Sequence, residues 1–249
     1  MRNPSRFAWP VGIRAGVSLS LDDGRESQLE NAIPILDRFD VKATFYATPS
    51  GFQPRLADWQ RVAKAGHEIG NHSVRHPCSG NFCWTVDNTL EDYTLEQMED
   101  EILEAQAFLV EQFGRSARTF AYPCGQSFVG RGEQCRSYTP VVARHFVAGR
   151  LFRDETFNDP SFCDLARIAG AEGDRLTFEQ VQVMLAQAGA AGAWIVLAMH
   201  DVGAPSGHQT TSADTLERLC AYCKDARNGI WIDTVQQIAD YIQQNRALG

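Results

Sequence analysis

The chain has no apolar run approaching the roughly 18 residues of a membrane-spanning helix, and its start, MRNPSRFAWP, contains no apolar signal core. That start favours a cytoplasmic protein, with a mature secreted domain as the other reading. Basic residues are scarce: 23 Lys and Arg stand against 31 Asp and Glu, for a formal net charge of −8. Nucleic-acid binders need clustered Lys and Arg to neutralise phosphates, so this balance argues against a nucleic-acid partner, and a neutral substrate fits better. No repeat or linker divides the chain, and no feature specifies an oligomeric state. The seven cysteines are odd in number and irregularly placed, so at least one is unpaired, which favours a reducing compartment. Cys220 and Cys223 form a CxxC without a second one, on a helical pattern, and read as buried thiols rather than a zinc knuckle.

What is present is a soluble, globular composition, 44% hydrophobic and 22% charged, in 249 residues that we read as one domain, 1–249. Apolar periodicity predicts helices over 26–39, 56–65, 94–113, 138–146, 177–188, 211–226 and 235–244. Between them fall short strand-like runs at 17–21, 43–46, 67–70, 119–122, 150–152, 166–169, 194–199 and 229–232. Such alternation with short connections implies an α/β fold with a parallel sheet, and about seven or eight strands imply a (β/α) barrel. The segment 77–93, PCSGNFCWTVDNTLEDY, lacks a period and is a candidate rim of a binding cleft.

Four groups fall directly after predicted strands, where barrel active sites are assembled: Asp22 and Asp23, His72, Pro123 to Gly125, and His200. The strand-like VSLSL ends in Asp22 and Asp23, which delivers two carboxylates side by side at a turn. In NHSVRH, His72 and His76 are four apart, so one helical turn would point both imidazoles to one side. With one carboxylate, Asp23, they would form a two-histidine, one-carboxylate cation site with positions left open for water and substrate. Zinc is the default ion, and cobalt, manganese and nickel accept the same ligands. A divalent cation lowers the pKa of water and polarises a carbonyl, but a base must still take the proton. Trp84, Tyr122 and Pro123 are the candidate substrate contacts, the two aromatic rings, with Phe128, by stacking on a flat substrate face.

SLDDG at 20–24, HSVRH at 72–76, FAYPCG at 120–125 and IVLAMHD at 195–201 resemble, in order, the motifs of NodB-type polysaccharide deacetylases, carbohydrate esterase family 4. The resemblance implies a distorted, often seven-stranded barrel. It implies a metal-dependent hydrolase that removes acetyl groups from a carbohydrate, with N-acetyl favoured. By position, Asp22 would be the general base, Asp23, His72 and His76 the metal ligands, and His200 the general acid. The backbone N–H of Cys124, where the family usually has Tyr, would serve the oxyanion hole. The family's arginine before the third-motif proline is replaced here by Ala121 and Tyr122, and Arg167 in LARIAG is the candidate to orient the base instead. The family's fourth motif, Asp plus Trp, is not visible, and Asp201 is the acid adjacent to His200. Acetylxylan-type O-deacetylation, hydrolysis of a non-sugar amide, and carbohydrate binding with weak catalysis are the alternatives.

Overall fold

Strand β1, Ala15–Asp22, is buried along its whole length and forms the spine of the molecule. The structure, a computed structural model, describes residues 7–85, 87–204 and 207–246. In order follow α1 Ile33–Arg38, β2 Thr44–Ala47, α2 Pro49–Phe52, α3 Leu56–Lys64, β3 Glu68–Asn71, α4 Leu95–Phe113 and β4 Thr119–Ala121. A hairpin, β5 Phe128–Val129 with β6 Arg136–Ser137, precedes α5 Thr139–His145, β7 Ala148–Arg150 and β8 Ala171–Glu172. The chain then runs through α6 Phe178–Ala191, β9 Trp194–Met199, β10 Asp201–Gly203, β11 Thr210–Ser212, α7 Ala213–Lys224, β12 Ile230–Ile232 and α8 Val235–Asn245.

The sheet is parallel, in the order β7-β4-β3-β2-β1-β9-β8, and β12 pairs the start of β1. The stretch 168–172 draws the two ends together. Ile168 bridges Arg150 of β7, and Ala171–Glu172 pair β9, so a short segment closes the curl of the barrel that the sequence predicts. Side chains such as Leu19, Leu21, Phe45, Phe120 and Leu197 fill the interior between sheet and helices.

Two local expectations shift. The predicted helix over 26–39 begins as a π-turn, Gln28–Ala32, and becomes α-helical only at Ile33, because Pro34 has no N–H to continue an α-helical ladder from the preceding turn. The strand expected over 166–169 is instead a one-turn helix, Leu165–Arg167, capped by the Asp164 side chain; the strand pairing comes later, at β8. By contrast α4 has the expected capping box, Thr94 with Gln97, and stops at Gly114 in the left-handed conformation.

Candidate active site

Strand β1 carries Asp22 to the C-terminal rim as its last residue, 4% exposed. Asp23 and Gly24 then adopt φ of 75° and 66°, which turns the chain away from the sheet. Both Asp22 carboxylate oxygens accept from Nη2 of Arg150, at 2.6 and 2.5 Å. Arg150 is fully buried, donates also to the Leu151 carbonyl at 3.1 Å, and lies over the Tyr46 ring. This corrects the expectation for Arg167, which is exposed and caps no carboxylate of the site. Arg150 is the register partner of Ala121. The cation therefore arises one strand over from the third motif, beside the alanine that stands near the family's arginine position.

The expected helical turn over His72 and His76 is absent. The segment is an irregular loop in which Ser73 and His76 have φ of 59° and 52°. Its shape comes from partners that replace the missing helix bonds. Asn71 Oδ1 accepts from the Ser73 amide, and the buried Glu101 carboxylate of α4 accepts from the amides of Val74 and Arg75. The loop still brings the two imidazoles together, with ring centroids 4.6 Å apart.

Ligand atoms of Asp23, His72 and His76 all lie within 4.8 Å of one another. His72 Nδ1 is tied to the Ala121 carbonyl at 2.8 Å, and its Nε2 is 3.9 Å from Asp23 Oδ1. That separation is too long for a hydrogen bond, yet two ligand bonds of about 2 Å to one cation span it. Arg25 holds the other oxygen, Asp23 Oδ2, at 2.9 Å. Burial, and then the neighbouring His72, push the His76 pKa down to about 4, so its ring is neutral near pH 7, the form that ligates a metal. Burial acts to raise the Asp23 pKa, but His72, His76, His200 and Arg25 together outweigh it and hold the carboxyl below its ordinary value. The donor set fits a divalent cation.

His200 follows β9 as Asp22 ends β1, one step beyond the paired residues Leu21 and Met199. Gln28 fastens the two strand ends by donating to the carbonyls of Asp22 and His200 at 2.6 and 2.9 Å. The acid beside His200 in space is Asp174, whose Oδ2 is 2.7 Å from His200 Nδ1 and whose Oδ1 accepts from the His200 amide. Burial opposes protonation of His200, but the Asp174 bond and the Asp22 charge prevail and raise its pKa. Asp201 points elsewhere, to Arg25 at 2.6 Å and to the Ser27 hydroxyl. Gln209 joins the two groups, accepting from Arg25 and placing its amide nitrogen 3.4 Å from His200 Nε2.

Pro123, buried, opens a one-turn helix in which Cys124 has φ of 53°. Gly125 is needed there, since a Cβ would come within 2.8 Å of the Phe152 backbone. Cys124 is disulfide-bonded to Cys78, a pairing the odd cysteine count had not indicated. Cys220 and Cys223 are free and buried on α7, as read. The structure corrects Tyr122: it is 1% exposed, packs on Phe120 and Tyr138, and donates to the Ala166 carbonyl, so its ring has no face for a sugar. Trp84 is 65% exposed and packs against Phe82.

Residues 13–131 match the family described as polysaccharide deacetylase. The peptidoglycan-N-acetylglucosamine deacetylase PgdA of Listeria monocytogenes is 27% identical over 110 residues, 44% of this chain and 21% of that protein. Matches to curated relatives span between 5% and 26% of those relatives' own length. Among solved structures, a putative polysaccharide deacetylase from Mycobacterium smegmatis has TM-score 0.64 at 16% identity, over 99% of this chain and 98% of that one. The Puue allantoinase has TM-score 0.68 at 14% identity, over 95% of this chain and 92% of that one. At those identities the likeness is one of fold.

Proposed function

We propose that this chain, whose residues 13–131 match the polysaccharide deacetylase family, hydrolyses acetyl groups from a carbohydrate with a divalent metal, N-acetylated sugars being the favoured substrates. The observation that carries the reading is the arrangement of two separately held proton-transfer groups beside one ligand set. Asp22 is fixed by Arg150, His200 is fixed by Asp174, and Asp23, His72 and His76 gather at the same rim.

When bound by Asp23, His72 and His76, the cation, zinc being the default, would supply Lewis acidity toward the attacking water and the acetyl oxygen. Asp22 takes a proton from that water as its oxygen bonds to the acetyl carbon. The Arg150 bonds keep the carboxylate aimed, since both its oxygens share one donor nitrogen. His200 gives a proton from Nε2 to the departing nitrogen as the C–N bond breaks, and acetate and a free amine result. Asp174 on Nδ1 leaves Nε2 as the nitrogen that faces the reaction. The Cys124 amide, in the turn that follows β4, is the proposed donor to the acetyl oxyanion.

The test is acetate release by the metal-loaded chain from chitooligosaccharides, peptidoglycan fragments and acetylated xylan, with allantoin as a non-sugar amide. We expect release from the N-acetylated sugars and a loss of about 10³-fold in Asp22→Asn. Release from none of the glycans, or turnover confined to the cyclic amide, would overturn the reading.

A further inference from the structure

The two metal-site histidines are anchored differently on their outer nitrogens. His72 Nδ1 meets a backbone carbonyl, Ala121 O, at 2.8 Å. His76 Nδ1 instead lies 3.5 Å from the Sγ of Cys78, a fully buried residue whose sulfur is bonded to Cys124. The bridge spans 46 residues of sequence and ties together two loops behind adjacent strands, β3 and β4. Each loop contributes to the candidate site, one through His76 and the other through the turn at Pro123 and Cys124. Both His76 and Cys124 hold positive φ, 52° and 53°, conformations that cost a non-glycine residue energy and persist only where the surroundings impose them.

We propose that the Cys78–Cys124 disulfide is a redox-responsive positioning element of the metal site, acting on His76 through the Cys78 sulfur and through the tether to the Pro123 turn. The proposal rests on the metal-dependent reading above. Outer partners of metal-bound histidines fix ring orientation, and losing one costs about 10- to 100-fold in metal affinity. Opening the bridge removes the tether and frees the Cys78 side chain to rotate, so His76 loses its fixed direction. With a phosphine as reductant the balance is simple. The S–S bond breaks, the phosphine gives two electrons and becomes its oxide with oxygen from water, and the two protons of that water complete two thiols.

The experiment titrates the full chain with Zn2+ against a competing chelator, and with Co2+ by visible absorption, before and after treatment with tris(2-carboxyethyl)phosphine. Asp23→Ala corrects for metal held by other cysteines. Circular dichroism reports whether the reduced chain stays folded. We expect a folded reduced chain that binds both ions at least tenfold more weakly and regains affinity on reoxidation. Cys124→Ala, which cuts the tether but keeps sulfur at position 78, should bind metal better than Cys78→Ala. Equal affinity in both redox states overturns the proposal, as does unfolding on reduction, which would make the bridge a general staple. Tighter Co2+ binding with thiolate charge-transfer bands also overturns it, since His76, Cys78 and Cys124 would then form a site of their own. Redox-dependent affinity without acetate release would sink the deacetylase reading and leave this one standing; acetate release with redox-independent affinity would do the reverse.

Discussion

Asp22 is held by a side chain 128 residues away, and that distance is why the pairing escapes a reading of motifs. Arg150 was visible only as a lone basic residue in the apolar run VAGRLF. Its replacement makes a two-part prediction. Arg150→Met leaves a buried carboxylate without its partner and should cost about 3–5 kcal/mol in denaturant unfolding. Arg150→Lys keeps the charge, loses the bond to Leu151, and should retain more stability while turnover falls about tenfold, as measured by acetate release. Asp174 holds His200, the proposed acid. Against the opposing effect of burial, its bond helps to raise the His200 pKa, and the proposed acid must be protonated to act, so the raised value would extend activity toward higher pH. In Asp174→Asn the basic limb of the kcat/KM profile should move to lower pH. An unmoved limb would show that Asp174 does not set the titration of His200.

At the scale of elements, the rim opposite the candidate site is organised by a buried carboxylate. Glu68 of β3 accepts from the hydroxyls of Thr44 on β2 and Thr119 on β4, and from the Gln236 amide in the first turn of α8. Thr44 in turn accepts from the Val235 amide. Two strands, β2 and β3, thus satisfy amide groups that the start of the closing helix leaves open. Burial raises the Glu68 pKa against the pull of Thr119 and the Gln236 amide, so its contribution to stability is largest at acidic pH and declines as pH rises through the folded-state value. Glu68→Ala strands several buried donors and should lower stability by about 3 kcal/mol, read as a lower denaturant midpoint at unchanged m. A loss below about 0.5 kcal/mol would mean that water or side-chain rearrangement satisfies those groups.

For the whole molecule, a metal held by Asp23, His72 and His76 would couple to the fold, because these candidate ligands come from separate strands' ends, β1 and β3. An ion that binds only the folded chain stabilises it by about 2.7 kcal/mol at 100 times its dissociation constant. For a chain of this size each kcal/mol moves Tm by about 2–4 °C, so chelation should lower Tm by about 5–10 °C. The same chelation should leave the Tm of Asp23→Ala unchanged. No helix among the described residues is long and apolar enough to cross a membrane, which agrees with the hydropathy of the sequence.

The sequence by itself determined the order of most elements and the ligand candidates. Periodicity and strand-end position are local properties, and DDG, HSVRH and MHD each lie within a few residues. It could not show how His72 and His76 converge, because the loop between them is shaped by Glu101, a charged residue on the inner face of a helix elsewhere in the chain. Nor could it show that Arg150 meets Asp22, that Asp174 meets His200, or that Cys78 meets Cys124. Those contacts exist only where the sheet curls and closes at 168–172. Tertiary structure decided them because charge pairing and disulfide bonding depend on distance in space, and spacing along the chain does not encode that distance.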